Sequence, residues 1–236
     1  MIDSNNPDAF NNLGFAYTNL DRLDEALEAY RQVLALDPDN VAAKINSGVI
    51  YFKQDQEEQA AKMFESALLV DPSNKNALTM WTISLEELAE EQRGDLTSAA
   101  TGDDSLKVME AVKTTLNEAV RVYRQAIETH PEEKNFVYNL GVLYARDLKN
   151  FQAAKPLFQR VTELDPEDVD SWFNLAAAQL NLNDLDGAMI SLEKAAELAP
   201  DSPDVWYQLA IIYIKKGMKE RGEEAFKKSE ELSGEQ

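Results

Sequence analysis

Pro38 and Pro72 stand 34 residues apart, and so do Pro166 and Pro200. A fixed period of this size constrains a chain more than its composition does. Each period must be one supersecondary unit, too small to bury its apolar face except against its neighbours. Laid on the period, Phe10, Leu13, Gly14 and Tyr17 are followed by Ala26, Tyr30, Val33 and Pro38. The next stretch carries Gly48, Tyr51, Ala60, Phe64, Ala67 and Pro72, and a later one Trp172, Leu175, Ala176, Ala188, Leu192, Ala195 and Pro200. The last carries Trp206, Leu209, Ala210, Tyr213 and Phe226, with no closing proline. Ala, Leu, Glu and Lys are abundant and glycines number 9 in 236 residues, which favours helices over strands. Small residues (Gly14, Ala26, Ala67, Ala195) let helix axes approach, and large ones (Tyr17, Tyr30, Phe64, Trp172) fill the space between ridges.

The pattern resembles the tetratricopeptide repeat, W-x2-L-G-x2-Y, then A-x3-F, then P, over nearly the whole chain. The resemblance implies an all-α, right-handed α-solenoid of six helix-turn-helix units forming one domain, 1–236. The repeats fall at 7–40, 41–74, 75–133, 134–168, 169–202 and 203–236. Asn6, Asn40, Asn74, Asp168 and Ser202 are expected to cap the first helices, with Glu133 a weaker cap, and Pro7 and Pro203 suit the first helical position. In the fourth repeat Tyr144 and Ala154 are 10 positions apart rather than the 9 between Tyr17 and Ala26, so its turn is expected to carry one extra residue. The third repeat holds an insertion of 25 residues, about 86–118. Arg93-Gly94 is expected to end its first helix and Gly102-Asp103-Asp104 to precede its second, which starts near Ser105. A helix over 105–130 reaches ~40 Å, so an extended helical hairpin with loop 93–104 at its tip is expected. It reads either as an expansion packed on itself or as a docking or dimerisation arm. Ile2-Asp3-Ser4-Asn5-Asn6 aligns with 36–40, the tail of a second helix, which implies a further segment upstream. Lys219–Leu232, with Gly222 and Ser229 where Ala is usual, reads as a terminal cap with a wet outer face.

Charge and composition narrow the function. With 23 Lys+Arg against 43 Asp+Glu the net charge is −20, which repels nucleic-acid backbones and anionic lipid heads. No apolar run approaches the ~18 residues of a membrane span, so a soluble chain is expected; no signal peptide is visible, but a missing start could have carried one, so the compartment is unknown, with cytoplasm and periplasm both open. There is no cysteine and one histidine, His130, which leaves thiol, His-rich metal and triad chemistry without residues. No phosphate-binding glycine loop occurs. Asp184-Leu185-Asp186-Gly187 resembles a calcium loop, but Leu182 would occupy its first ligand position, so it reads as a turn and helix start. No cofactor, metal or catalytic residue is expected.

The resemblance places a binding groove along the first helices. The sixth position of each repeat holds Asn12, Asn46, Met80, Asn139, Asn174 and Gln208. Amides donate and accept, so the row is similar to the asparagine ladder that grips peptide backbone in the repeats of O-GlcNAc transferase. The alternative is a row of caps or links between neighbouring helices. Phe52, Tyr138, Phe173 and Tyr207 flank it and suit large hydrophobic anchors, with Ile45, Val49, Thr79, Ile83, Val142, Ala177, Leu180, Ile211 and Ile214 in the same flanking positions, unless packing between repeats consumes them. In an acidic chain the expected guest is a peptide or helical segment, apolar with basic flanks. A clamp for the acidic tails of heat-shock chaperones is not expected, since Asn11, Phe15, Asn46, Asn76 and Met80 supply none of its basic residues. A non-enzymatic interaction scaffold is the leading expectation. A self-assembly module and an accessory domain of a larger protein are the alternatives.

Overall fold

The structure, a computed structural model, describes residues 6–98 and 102–234. The imitation of a helix tail at 2–5 lies outside the described residues, as does the stretch 99–101. Among the described residues the chain is built of twelve α-helices and no strand. It forms two compact bodies, Met1–Pro131 and Glu132–Gln236.

The first body holds α1 (Pro7–Asn19), α2 (Leu23–Leu36), α3 (Val41–Lys53), α4 (Glu57–Leu68), α5 (Lys75–Ser98) and α6 (Gly102–Thr129). They pack in chain order, α1 on α2, α3 on α4 and α5 on α6, with α2 also on α3 and α4 on α5. The second body holds α7 (Lys134–Val142), a π-helical turn (Leu143–Asp147), α8 (Phe151–Leu164), α9 (Val169–Asn181), α10 (Leu185–Leu198), α11 (Pro203–Lys215) and α12 (Lys219–Gly234). It is paired in the same way.

Glycine against aromatic ring sets the packing within a pair. A Cβ on Gly14 would lie 2.6 Å from the Tyr30 ring, one on Gly48 2.7 Å from Phe64, and one on Gly141 2.8 Å from Phe158. Each of those rings is at most 1% exposed. Burying such a ring contributes about 1.5–3 kcal/mol, so the missing methyl is what lets the second helix seat. Around these contacts Ala26, Val33, Ala43 and Ile50 form one core cluster. In the second body Ala176, Leu192, Leu209, Ala210 and Tyr213 form another.

The turns repeat as well. Asp21, Asp55, Lys149, Asn183 and Gly217 all have positive φ, between 50° and 78°, and each lies between the two helices of a pair. Asp and Asn tolerate this left-handed conformation better than other Cβ-bearing residues. Next to it, Arg22 N donates to Tyr17 O at 2.9 Å, Gln56 N to Tyr51 O at 3.0 Å and Asp184 N to Gln179 O at 2.8 Å.

Four expectations are corrected. The extra residue of the fourth repeat sits inside its first helix, not in the turn. Leu148 N reaches Leu143 O at 3.1 Å across a π turn, and Asn150 N reaches Tyr144 O at 2.7 Å, one residue further than elsewhere. A π turn absorbs one residue without rotating what precedes it. The loop expected at 93–104 is helical at both ends, with α5 passing Arg93-Gly94 to Ser98 and α6 starting at Gly102. One glycine inside a helix costs only about 1 kcal/mol, and Asp103 and Asp104 suit a first turn. Asn6, Asn40, Asn74 and Asp168 accept N–H bonds at helix starts, for example Ala43 N to Asn40 Oδ1 at 3.0 Å. Ser202, expected to do the same, makes no such side-chain bond, and neither does Glu133. Gly222 and Ser229 do not face water. A Cβ on Gly222 would meet Ile214 Cγ1 at 2.5 Å, and Ser229 Oγ donates to Pro203 O at 2.9 Å, so both sit in the α11–α12 seam.

The long pair is tied along its length. Tyr123 Oη donates to Glu86 Oε1 at 2.5 Å and Thr115 Oγ1 to Gln92 Oε1 at 3.0 Å. Leu85, Ala89, Val112, Leu116 and Ala119 are buried. In the second body, Lys134 Nζ at the start of α7 bonds Asp165 Oδ2 at 2.5 Å and Asp168 Oδ2 at 2.9 Å, which fixes the α8–α9 turn. These bonds hold the Asp165 carboxyl below the usual carboxylate range and raise the lysine.

Candidate peptide-binding groove

In each body the sixth-position residues ride on the first helix of a pair. In the first body Asn12 is exposed on α1 and Asn46 half-buried on α3, where Phe52 is half-buried too. Asn46 lies beside the buried Tyr30 hydroxyl of α2. Phe15, at the ninth position of its repeat and absent from the flanking set expected from the sequence, is 61% exposed on the same helix as Asn12.

The second body brings more of the expected residues together. Asn174 on α9 donates to the Tyr138 hydroxyl of α7 at 3.0 Å and to Asp170 O of its own helix at 2.9 Å. Both amide hydrogens are therefore engaged within the chain. Asn139, one residue from Tyr138, is exposed. Burial raises the Tyr138 hydroxyl above the ordinary tyrosine value. Its ring stands edge-on to Phe158, centroids 5.9 Å apart, and Tyr207 stands likewise on Phe226 at 5.5 Å. Both tyrosines are thus held by the second helix of their own pair. Tyr207 remains 49% exposed.

Between α9 and α11 is a cavity of about 210 Å³ lined by Phe173, Ala176, Ala177, Leu180, Asn181, Leu192 and Gln208. Four of the expected residues, Phe173, Ala177, Leu180 and Gln208, meet there. Asn181 and Leu192 were not anticipated. Leu192 carries a core signature and, from α10, also lines the cavity.

Models of the tetratricopeptide repeat family match residues 7–40, 41–74, 116–154, 143–203 and 191–224. The chain belongs to the tetratricopeptide repeat family. The matched ranges leave out 75–115, where α5 and the first half of α6 lie. Human Protein O-mannosyl-transferase TMTC3 is 26% identical over 195 residues, covering 80% of this chain and 19% of that protein. The mouse protein of the same name is 26% identical over 190 residues, with the same 19% covered. The chain therefore spans about a fifth of the length of the curated relatives it matches. Among solved structures, YrrB, described as a TPR protein with an unusual peptide-binding site, superposes with a TM-score of 0.64 at 20% identity, covering 87% of this chain and 93% of YrrB. MamA from Desulfovibrio magneticus RS-1 gives 0.64 at 18% identity, covering 84% and 97%. These likenesses show the fold. No helix among the described residues is long and apolar enough to cross a membrane.

Proposed function

We propose that this chain is a non-enzymatic interaction scaffold whose first helices hold a peptide or helical partner segment. The observation that carries the reading is the apolar cavity of about 210 Å³ at Phe173, Ala177 and Gln208, in the same body as the ordered Tyr138–Asn174 pair. The cavity takes an aliphatic side chain of the guest. The carbonyl of Asn174 and the amides of Asn139 and Gln208 meet its backbone, and Tyr207 supplies an exposed ring. In the first body Asn12, Asn46 and Phe52 have the corresponding role. YrrB's described peptide-binding site is in keeping with this.

Magnitudes set the reach of the guest. One buried aliphatic side chain contributes about 1.5–3 kcal/mol, and each amide bond about 0.5–1.5 kcal/mol. One cavity with two amides thus gives about 2.5–6 kcal/mol before ordering costs, which is near the millimolar range. A guest of cellular relevance must therefore engage several repeats. The chain's −20 charge favours basic residues flanking its apolar ones.

The test is selection of 12-residue peptides on the wild-type protein, followed by calorimetry. Ala177→Leu, which fills the cavity, and the pair Asn139→Ala with Asn174→Ala are each expected to weaken the selected peptides about ten-fold or more, with helicity retained. Unchanged affinity in both variants sinks the groove reading. A second reading, self-assembly through the long α5–α6 pair, draws on Leu106 and Met109, 65% and 56% exposed on α6. Sedimentation of the wild type beside a variant lacking 93–112 decides it, because a monomeric wild type removes the idea. An accessory repeat domain of a larger protein is a further reading, drawn from the 19% of the human relative that is matched. The size of the native polypeptide on an immunoblot decides that one.

A further inference from the structure

The α11 residues that line the groove occupy only one side of that helix. Trp206 lies about 200° around the axis from Gln208 and faces a second cleft, of about 720 Å³, between α10 and α12. Its floor is Trp206, Leu209 and Tyr213. The walls carry three carboxylates, Glu193 and Glu197 from α10 and Glu224 from α12, against two cations, Arg221 and Lys228.

Both cations rest on aromatic faces. Lys228 Nζ is 3.9 Å from the Trp206 ring centroid, and Arg221 Cζ is 4.2 Å from that of Tyr213. They differ in how firmly they are held. Arg221 also bonds Glu193 at 2.9 Å and the Tyr213 hydroxyl at 2.7 Å, and Tyr213 donates to Glu193 at 2.8 Å, a closed triangle. Burial, with the Glu193 carboxylate beside it, pushes the Tyr213 hydroxyl up to about 12, against the lowering pull of Arg221. Lys228 is held by the ring face of a half-buried side chain. Trp206 itself is fixed, because its Nε1–H donates to Pro200 O at 3.0 Å. So an oriented indole face is covered by one loosely tethered lysine, beside the exposed carboxylate of Glu224 and that of Glu197, which Lys194 already bonds at 2.9 Å and which a guest would share.

We propose that this cleft is a second binding site, for a partner peptide bearing an arginine or lysine, and that Lys228 is its intramolecular occupant. An incoming guanidinium displaces Lys228 from Trp206, stacks on the indole and pairs with Glu224 and Glu197. The attraction of a cation to an indole face is the strongest among the aromatic side chains. The carboxylate excess of the cleft and the net charge of −20 draw a basic segment there and disfavour an acidic one. The site is independent of the groove, since it uses the other side of α11 and none of the groove residues.

The test is titration of the full chain with acetyl-Gly-Arg-Gly-amide, following the indole Nε1–H resonance of Trp206, assigned by its loss in Trp206→Phe. The same peptide with citrulline for arginine, which has the shape without the charge, is the control. The arginine peptide is expected to shift the resonance saturably and the citrulline peptide is not. Lys228→Ala frees the ring and is expected to tighten binding about two- to five-fold. Lys227→Ala, which changes the net charge equally one residue away, leaves it unchanged. Glu224→Gln is expected to weaken binding by a similar factor. Equal shifts with citrulline, or Lys228→Ala binding no better than Lys227→Ala, overturn the proposal. Loss of groove binding in Ala177→Leu with this titration intact would separate the two sites.

Discussion

Gly48 sits under the ring of Phe64, and the absent methyl is worth more than a helix propensity. Gly48→Ala improves the helix by about 1 kcal/mol but drives a Cβ to 2.7 Å from a ring that is 0% exposed. Overpacking of this kind costs about 1–3 kcal/mol, and a fully buried ring has little room to give, so the collision wins. A lowered urea midpoint with an unchanged slope is the expected result. Where Ala176 replaces the glycine, Leu192 stands in place of a fully buried ring, and where Ala210 does, the ring of Phe226 is only partly buried. Phe64→Leu added to Gly48→Ala should therefore recover part of the loss, a coupling that a double-mutant cycle measures. Two of these pairs, Gly14 with Tyr30 and Gly48 with Phe64, were legible as small and large members of one period, 16 positions apart; Gly141 and Phe158, 17 apart, were not. The engagement of Asn174 with Tyr138 was not, because a side-chain bond between residues 36 apart depends on how two helices are set against each other. A period says which residues share a face, not which of them spend their donors on each other.

At the scale of elements, the inter-helix turn decides where a repeat ends. Four of the five left-handed turn residues are Asp, Asn or Gly, and the fifth, Lys149, precedes Asn150. Ala89, 34 positions after Asp55, stands where the third such turn would fall. It is helical and 1% exposed. Alanine in the left-handed conformation costs roughly 1–2 kcal/mol, so the helix runs on, and α5 and α6 reach 24 and 28 residues. The lengthening was readable from spacing. The end of α5 was misplaced because Gly94 was weighed as a stop signal in isolation, without the neighbouring helix that offsets its cost. The π turn was misplaced for a related reason. The count of residues reveals one too many but not where the backbone stores it. That storage yields a prediction. Deleting Arg146, an exposed residue of the π turn, should convert Leu143–Asp147 to ordinary helix and restore the 9-residue spacing. The expected change in stability is within about 1 kcal/mol. Deleting one residue in the middle of α9, which has no π turn to absorb it, rotates half the helix by about 100°. That buries polar groups and exposes Leu175 or Ala178, so a loss of several kcal/mol is expected. Parallel urea melts check both, and equal losses would mean that the π turn is a required shape rather than a stored residue.

For the whole molecule the governing fact is that helices pack on their neighbours in chain order, as α1 on α2 and α2 on α3. Stability in such a chain is close to a sum of repeat terms and interface terms between adjacent repeats. No element need wait for a distant one, and no core residue has to be supplied from the far end. Each body holds three helix pairs and its own buried cluster, one around Tyr30 and Ile50, the other around Leu192 and Leu209. The join, Glu132, falls in the three-residue link between the end of α6 at Thr129 and the cap of α7 at Glu133. The Lys134 bridge to Asp165 and Asp168 belongs wholly to the second body, so a cut at the join leaves it intact. At least three repeats are needed to bury a continuous core, and each body has that number of pairs. Residues 1–131 and 132–236 made separately are therefore expected to be helical and to melt cooperatively, each less steeply than the intact chain because fewer repeats unfold together. The second piece should keep the Trp206 cleft and the cavity at Phe173, since every residue lining them lies within it. Circular dichroism melts of the two pieces check this. A piece with helix content but no cooperative transition would show that its core is completed from across the join, and nearest-neighbour additivity would then fail for this chain.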